Sequence, residues 1–170
     1  MKANTRSLAH AAILAALYVV LTLLQNFLLP GTTSYAIQFR AAEALCVFAV
    51  FTPAAIPGLT FGCLLFNLTS SASLPLDFLI GSGATLLATL LAYLLRRVCV
   101  GKLPVLSLLM PVICNALLVG AELYFVFGEL PLWINMLYVA IGEAAVMFTL
   151  GVALFFAFSS KHLNERLFGR

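Results

Sequence analysis

The stretches ICNALLVGAE (residues 113–122) and WINMLYVAIGE (residues 133–143) each place one Asn and one Glu inside a run that otherwise has the composition of a membrane helix. A carboxylate at membrane depth costs about 2.5–3.5 kcal/mol on insertion scales, so such a group faces the interior of a helix bundle rather than lipid. Because two neighbouring segments carry the same pair, the sequence predicts one polar cup lined by Asn115, Glu122, Asn135 and Glu143.

The composition indicates an integral membrane protein. The chain has 170 residues, of which 64% are hydrophobic and 9% are charged, and its mean hydropathy is +1.13. A soluble domain with so few polar residues would not cover its own surface. At about 20 residues per span, this length allows five or six helices and no separate nucleotide-binding domain. We therefore predict a single all-α membrane domain over residues 1–170.

Six transmembrane helices fit the apolar runs and the breaks between them. The first apolar run follows Lys2 and Arg6, as in a secretory signal, but it is long for one and no small-residue cleavage site follows. We therefore interpret it as a retained span. The six predicted spans cover residues 7–29, 39–51, 57–68, 75–95, 104–127 and 132–159, of which the second is short for a full crossing.

The distribution of positive charge predicts the orientation of these spans. With six spans, both termini and all basic residues except Arg40 lie on one side of the membrane. Basic residues concentrate on the cytoplasmic side, so we expect the N- and C-termini to be cytoplasmic. The polar residues of the spans then gather in the outer half, which describes a cup open to the outside and closed below. The basic residues on the cytoplasmic side are Lys2, Arg6, Arg96, Arg97, Lys102, Lys161, Arg166 and Arg170.

Glu122 and Glu143 are the strongest candidates for solute binding. The outer half of the predicted bundle holds four acids but one cation, Arg40, which cannot neutralise all of them. We interpret the two glutamates as acceptors for a cationic or donor-rich group of a solute. The alternative is that each pairs with an arginine or an amide and holds the helices together.

Each remaining candidate has a structural and a functional interpretation. Arg40 and Glu43 are three residues apart on one helix face, which favours an ion pair between them, although both also lie near the cup. Asn115 and Asn135 either join helices by hydrogen bonds or bind the solute, and Asp77 either caps the fourth span or binds the solute. The other candidates are Asn67 at the outer end of the third span, and Trp133 and Tyr138, which either stack on a ring or belong to an interfacial aromatic belt.

Small residues on the first span form two overlapping patterns, Ala11 with Ala15 and Ala12 with Ala16. Such patterns allow two helices to approach closely. They serve either packing within this chain or docking of a partner subunit.

Several motifs are missing from the sequence, and this argues against an enzyme. There is no phosphate-binding loop ending in GK[ST], no HExxH, and no Ser–His or Cys–His arrangement near the cup. The net charge of +3 is no signal for nucleic acid. We expect no metal site, because the cysteines form no CxxC pair and are interpreted as small buried hydrophobes; they are Cys46, Cys63, Cys99 and Cys114.

Four stretches of the chain resemble the QueT family, described as substrate-binding S components of energy-coupling factor (ECF) transporters and assigned to queuosine precursors. They are IQFRAAEAL (residues 37–45), FTPAAIPGL (residues 51–59), the run from Asn115 to Glu122, and the run from Trp133 to Glu143.

The resemblance implies a six-helix S component of a bacterial cell membrane that captures 7-aminomethyl-7-deazaguanine or queuine. It implies as partners a membrane coupling subunit (EcfT-like) and two ATPases (EcfA-like) that use ATP, with no cofactor in this chain. The alanine pattern of the first span resembles the signature that docks on the coupling subunit. For this ligand, one of Glu122 and Glu143 would bind the guanine-like edge and the other would bind the amine. Asn115 and Asn135 would bind the remaining polar atoms.

Three alternatives stay open at this point. The chain is an S component for another cationic, vitamin-like molecule, a stand-alone secondary transporter, or a structural membrane subunit. Secondary transporters often show internal repeats and broken helices, which the sequence does not display. A structural subunit would not need two buried acids facing one space.

Overall fold

The computed structural model describes residues 5–30, 39–70 and 76–159. The regular secondary structure of these ranges consists of six helices, which confirms the predicted all-α class. The predicted loop at residues 31–38 lies outside the described residues, as do Lys2, Lys161, Arg166 and Arg170. The helices are α1 (Thr5–Leu28), α2 (Ala41–Phe51), α3 (Ala55–Thr69), α4 (Asp77–Leu95), α5 (Val105–Phe127) and α6 (Leu132–Phe158).

Four of the helices, α1, α4, α5 and α6, are long and apolar enough to cross a membrane. The other two, α2 and α3, are apolar but shorter. The second predicted span therefore corresponds to a short helix, and so does the third. That all six helices cross the membrane, and that both termini are cytoplasmic, stay predictions.

The short helix α2 lies at the centre of the bundle. The other five helices pack in series: α1 on α3, α3 on α4, α4 on α5, and α5 on α6. The first part of α2 contacts all five of them. This first part, Ala41–Val47, is a 3₁₀ helix, and its residues 42–47 are all buried. A polar side chain on this segment is therefore held inside the protein, and Glu43 is such a side chain.

Two glycines of α3 bring its backbone against α1. A Cβ atom on Gly58 would lie 2.6 Å from the Ala11 carbonyl oxygen, and one on Gly62 would lie 2.8 Å from the Ala15 carbonyl oxygen. The pattern formed by Ala11 and Ala15 thus packs within the chain, while Ala12 and Ala16, on the adjacent face of α1, are exposed.

A third glycine sets the distance between α5 and α6. A Cβ atom on Gly120 would lie 2.8 Å from the Met136 Cα atom, so the two backbones approach to a distance that no other residue allows without a shift. Gly120 is two residues before Glu122, and Met136 follows Asn135. The close approach therefore brings together the two segments that carry the predicted polar residues.

Candidate functional site

Arg40 and Asp77 form a buried ion pair, in which Arg40 Nη2 lies 3.2 Å from Asp77 Oδ1. The sequence favoured a pair between Arg40 and Glu43 instead. Arg40 has φ −93° and ψ 89°, outside the helical region, so the spacing rule for one helix face does not apply to it. Asp77 is the first residue of α4, and its carboxylate binds Arg40.

Asn67 ties the end of α3 to this ion pair. Its Nδ2 donates a 2.8 Å hydrogen bond to the backbone oxygen of Asp77. The same amide nitrogen would be 3.0 Å from a Cβ atom on Gly81, and Asp77 Oδ1 would be 3.4 Å from it. Arg40, Asn67 and Asp77 therefore form one compact cluster packed closely against Gly81, and Asn67 has a structural partner.

Glu43 is fully buried and is held by three neutral donors. The Tyr18 hydroxyl donates to Oε1 at 2.6 Å, the Thr85 hydroxyl donates to the same oxygen at 3.2 Å, and the Cys46 thiol donates to Oε2 at 3.2 Å. Both carboxylate oxygens thus accept hydrogen bonds, as an ionised carboxylate does.

Tyr18, Thr85 and Cys46 are polar contacts that the sequence reasoning missed. A signal for Tyr18 was present, since it is a hydroxyl-bearing residue within the apolar first span and shares a buried stripe with Leu14 and Thr22.

Asn115 and Glu122 lie buried on α5, and each is only 1% exposed. Among the described residues, neither oxygen of Glu122 and neither polar side-chain atom of Asn115 has a hydrogen-bond partner. The carboxyl group of Glu122 lies within contact distance of the Asp77 carboxyl group, and Glu122 also interacts electrostatically with Arg40. The polar stripe predicted on this helix therefore faces the interior and leaves its hydrogen-bonding capacity unused.

Glu143 on α6 is also 1% exposed, and its Oε2 atom has no partner in the described part of the chain. It is within range of electrostatic interaction with Glu43 and Arg40. Glu143 thus lies near Glu43, whereas Glu122 lies near Asp77.

The other predicted residues of α6 have different positions. Asn135 is buried, and its Nδ2 donates a 3.2 Å hydrogen bond to the Leu130 oxygen in the preceding turn. Tyr138 is half-buried. Trp133 is 65% exposed, which places its ring on the outer surface of the bundle and away from the buried carboxylates.

The buried charges of the site do not balance. In the ranges that the structure describes, the buried charged residues are four acids and one cation, Arg40. An uncompensated charge in a low-dielectric interior is unfavourable, which is why removing one partner of a buried ion pair is costly. The acids are buried in the bundle, and a cup that opens to the outside stays a prediction. They are Glu43, Asp77, Glu122 and Glu143.

A shallow apolar groove lies on the surface between the first halves of α1 and α3, with a volume of about 360 Å³. It contains three of the four alanines predicted to contact a partner, and Ala16 is exposed on the same helix. The described residues contain no group of three or more His, Cys, Asp or Glu side chains placed to hold a metal ion. The groove is lined by Ser7, Leu8, Ala11, Ala12, Ala15, Pro57, Gly58 and Phe61.

Comparison with known protein families gives a match over most of the chain. A family model described as QueT transporter matches residues 8–160, which include α2 to α6 entirely and most of α1. Comparisons with curated proteins and with solved structures give no match.

Proposed function

The chain belongs to the QueT transporter family, and from this premise we propose that it is the substrate-binding S component of an ECF-type ATP-driven importer for a queuosine precursor. The family and the four long apolar helices make it a multi-pass membrane protein of a transport system. The bacterial plasma membrane, with both termini in the cytoplasm, is the location that we propose for it.

The observation that carries this proposal is the set of buried side-chain atoms on Asn115, Glu122 and Glu143 that have no hydrogen-bond partner among the described residues. A buried polar group without a partner costs about 1–3 kcal/mol, and native proteins leave few such groups. These three residues lie on two helices held in close approach at Gly120. A polar solute that reaches all three side chains would supply the missing partners.

The chemistry of a 7-deazaguanine suits these atoms. Its guanine-like edge presents adjacent N–H donors, which one carboxylate accepts in bidentate fashion. The aminomethyl or substituted aminomethyl arm is cationic and is complemented by a second carboxylate. We propose that Glu122 and Glu143 divide these two roles and that Asn115 binds a remaining polar atom of the ring. Asn135 has a local partner in Leu130, so in this account it supports the start of α6.

The groove between α1 and α3 supports the proposal of a membrane partner. It is apolar and shallow, and small residues in it allow a partner helix to approach closely. We propose that the coupling subunit docks here, with exposed Ala12 and Ala16 in the contact. The two ATPases would then supply the energy, because this chain has no phosphate-binding loop.

Reconstitution in proteoliposomes tests the proposed function. The chain is reconstituted alone and together with its coupling subunit and ATPases, and uptake of labelled 7-aminomethyl-7-deazaguanine is measured with and without ATP. We expect accumulation that requires both ATP and the complete complex.

Equal uptake by the chain alone, independent of ATP, would contradict the proposal in favour of a secondary transporter. The excess of buried acids would also suit another cationic, vitamin-like solute. If the complex takes up such a molecule in preference to every deazaguanine offered, the S-component function stands and the proposed ligand is wrong.

A further inference from the structure

Resting on the proposed function, we infer that the two acidic sides of the site are not equivalent: Glu143, backed by Glu43, binds the ammonium group of the substrate, and Glu122 with Asn115 binds the neutral edge of its ring. The sequence alone left open which glutamate takes which group.

The Glu122 side of the site is already close to electrical balance. Asp77, the acid near Glu122, is paired with Arg40 at 3.2 Å. Glu122 therefore adds one carboxyl group beside a neutral ion pair. A single carboxylate with two free oxygens is matched by neutral N–H donors, since bidentate hydrogen bonds stabilise it without a full counter-charge.

Asn115 extends the Glu122 side in a way that suits a ring rather than an amine. Within residues 5–30, 39–70 and 76–159, neither the donor nor the acceptor of its amide has a partner. Asn115 lies seven residues, and thus about two turns, from Glu122 on the same helix. An ammonium group has three donors and no acceptor, so it would leave the Asn115 donor unmatched. A guanine-like edge has donors and acceptors next to one another and can satisfy both residues.

The Glu143 side of the site lacks such balance. Glu43 is held by the neutral donors of Tyr18, Thr85 and Cys46, which stabilise its negative charge without cancelling it. Glu143 interacts electrostatically with Glu43 and with Arg40, but the ion pair of Arg40 is with Asp77, and among the described residues neither glutamate forms an ion pair. A cation placed beside these two carboxyl groups would stabilise their charged forms, because an opposite charge within about 4–6 Å favours ionisation of a carboxyl group.

The free Oε2 atom of Glu143 gives this cation a direct contact. The atom is buried and has no partner in the described part of the protein, whereas the Glu43 oxygens both accept hydrogen bonds. Glu143 is thus the residue that touches the ammonium group, and Glu43 acts as a positioning residue by adding its charge. A compact ammonium group fits this role better than a planar guanidinium, because it is a point charge with three rotatable donors.

Two ligands that differ at the side arm test the inference. The probes are 7-aminomethyl-7-deazaguanine, which is cationic, and 7-cyano-7-deazaguanine, which has the same ring and a neutral arm. Binding of each is measured by calorimetry for the purified wild type, Glu143→Gln and Glu122→Gln. Glu129→Gln is the matched control, because Glu129 is an exposed glutamate between α5 and α6.

We expect the wild type and Glu129→Gln to bind the aminomethyl ligand about tenfold or more tightly than the cyano ligand. This is the difference expected for a hydrogen bond between charged groups. In Glu143→Gln this preference should fall to near one, with the cyano ligand bound about as before. In Glu122→Gln both ligands should weaken in parallel by about tenfold or more, so the preference is retained. If Glu143→Gln does not fold, Glu143→Asp keeps the charge and should keep a reduced preference for the amine.

The opposite pattern, with the preference lost in Glu122→Gln and retained in Glu143→Gln, would overturn the assignment and leave the proposed function standing. Retention of the full preference in both variants would overturn it as well. If the folded wild type binds neither deazaguanine, the proposed ligand is wrong and the assignment falls with it.

Discussion

The Tyr18 hydroxyl donates a 2.6 Å hydrogen bond to Glu43 Oε1, which joins the first helix directly to the buried carboxylate of α2. Tyr18 lies on the same side of α1 as Ala15, since Gly62 is in close approach to both residues. Because α1 is the helix that we propose docks on the coupling subunit, this hydrogen bond connects the proposed docking helix directly to a carboxylate of the proposed substrate site.

Replacing Tyr18 with Phe should lower stability by about 1–3 kcal/mol, because it removes a donor from a buried carboxylate. Glu43 would keep its hydrogen bonds from Thr85 and Cys46. The check is the midpoint of thermal unfolding in detergent. Tyr124→Phe serves as the control, since Tyr124 is 38% exposed, and equal midpoints for the two variants would contradict a structural role for the Tyr18 hydroxyl.

Two asparagines should respond in opposite directions to replacement by Leu. Asn115→Leu removes two unpartnered buried atoms, so the ligand-free protein should gain about 1–3 kcal/mol while losing affinity for the substrate. Asn67→Leu removes the donor to the Asp77 backbone oxygen and should destabilise the protein. Thermal unfolding without ligand, followed by calorimetric binding, checks both variants. Lower ligand-free stability in Asn115→Leu would indicate that Asn115 has a structural role instead.

Adding one methyl group at Gly120 should separate α5 from α6. A Cβ atom there meets the Met136 backbone at 2.8 Å, so Gly120→Ala should cost about 1–3 kcal/mol of stability and weaken substrate binding by displacing Glu122 relative to Glu143. Gly83→Ala is the matched control, because a Cβ atom on Gly83 meets nothing within 4 Å. Similar unfolding midpoints and affinities in the two variants would argue against the close approach of α5 and α6.

Enlarging an exposed alanine of α1 should affect the partner and not the substrate. Ala12→Leu places a larger side chain in the groove beside α3, so co-purification with the coupling subunit should fall while calorimetric binding of the substrate is unchanged. Ala153→Leu, at an exposed alanine of α6, should leave both unchanged. If Ala12→Leu co-purifies as well as the wild type, the docking surface lies elsewhere.

Polar residues within apolar stretches of the sequence were sufficient to predict most residues of the candidate site. Arg40, Asn115, Glu122 and Glu143 stood out because burial of such groups in a membrane needs a reason, and the structure buries all of them. The all-α class and the six helices followed from hydropathy and from the Pro and Gly breaks between the apolar runs.

Other features depend on contacts between helices, which one sequence does not encode locally. The 3₁₀ start of α2 leaves Arg40 outside the helix, so the choice between Glu43 and Asp77 as its partner was settled by packing. The two alanine patterns of α1 were equivalent until Gly58 and Gly62 placed Ala11 and Ala15 against α3. Thr85 was missed because a threonine within a helix often bonds its own backbone, as Thr85 also does.

Calorimetric titration of 7-aminomethyl-7-deazaguanine into the purified chain tests the central claim most directly, with guanine and riboflavin as competing ligands and Glu129→Gln as the control variant. The account predicts tight binding of the deazaguanine, weaker binding of guanine and no binding of riboflavin by the wild type and by Glu129→Gln. It also predicts loss of deazaguanine binding when Glu122 and Glu143 are both replaced by Gln. Undiminished binding by that folded double variant, or no deazaguanine binding by the folded wild type, would contradict the account.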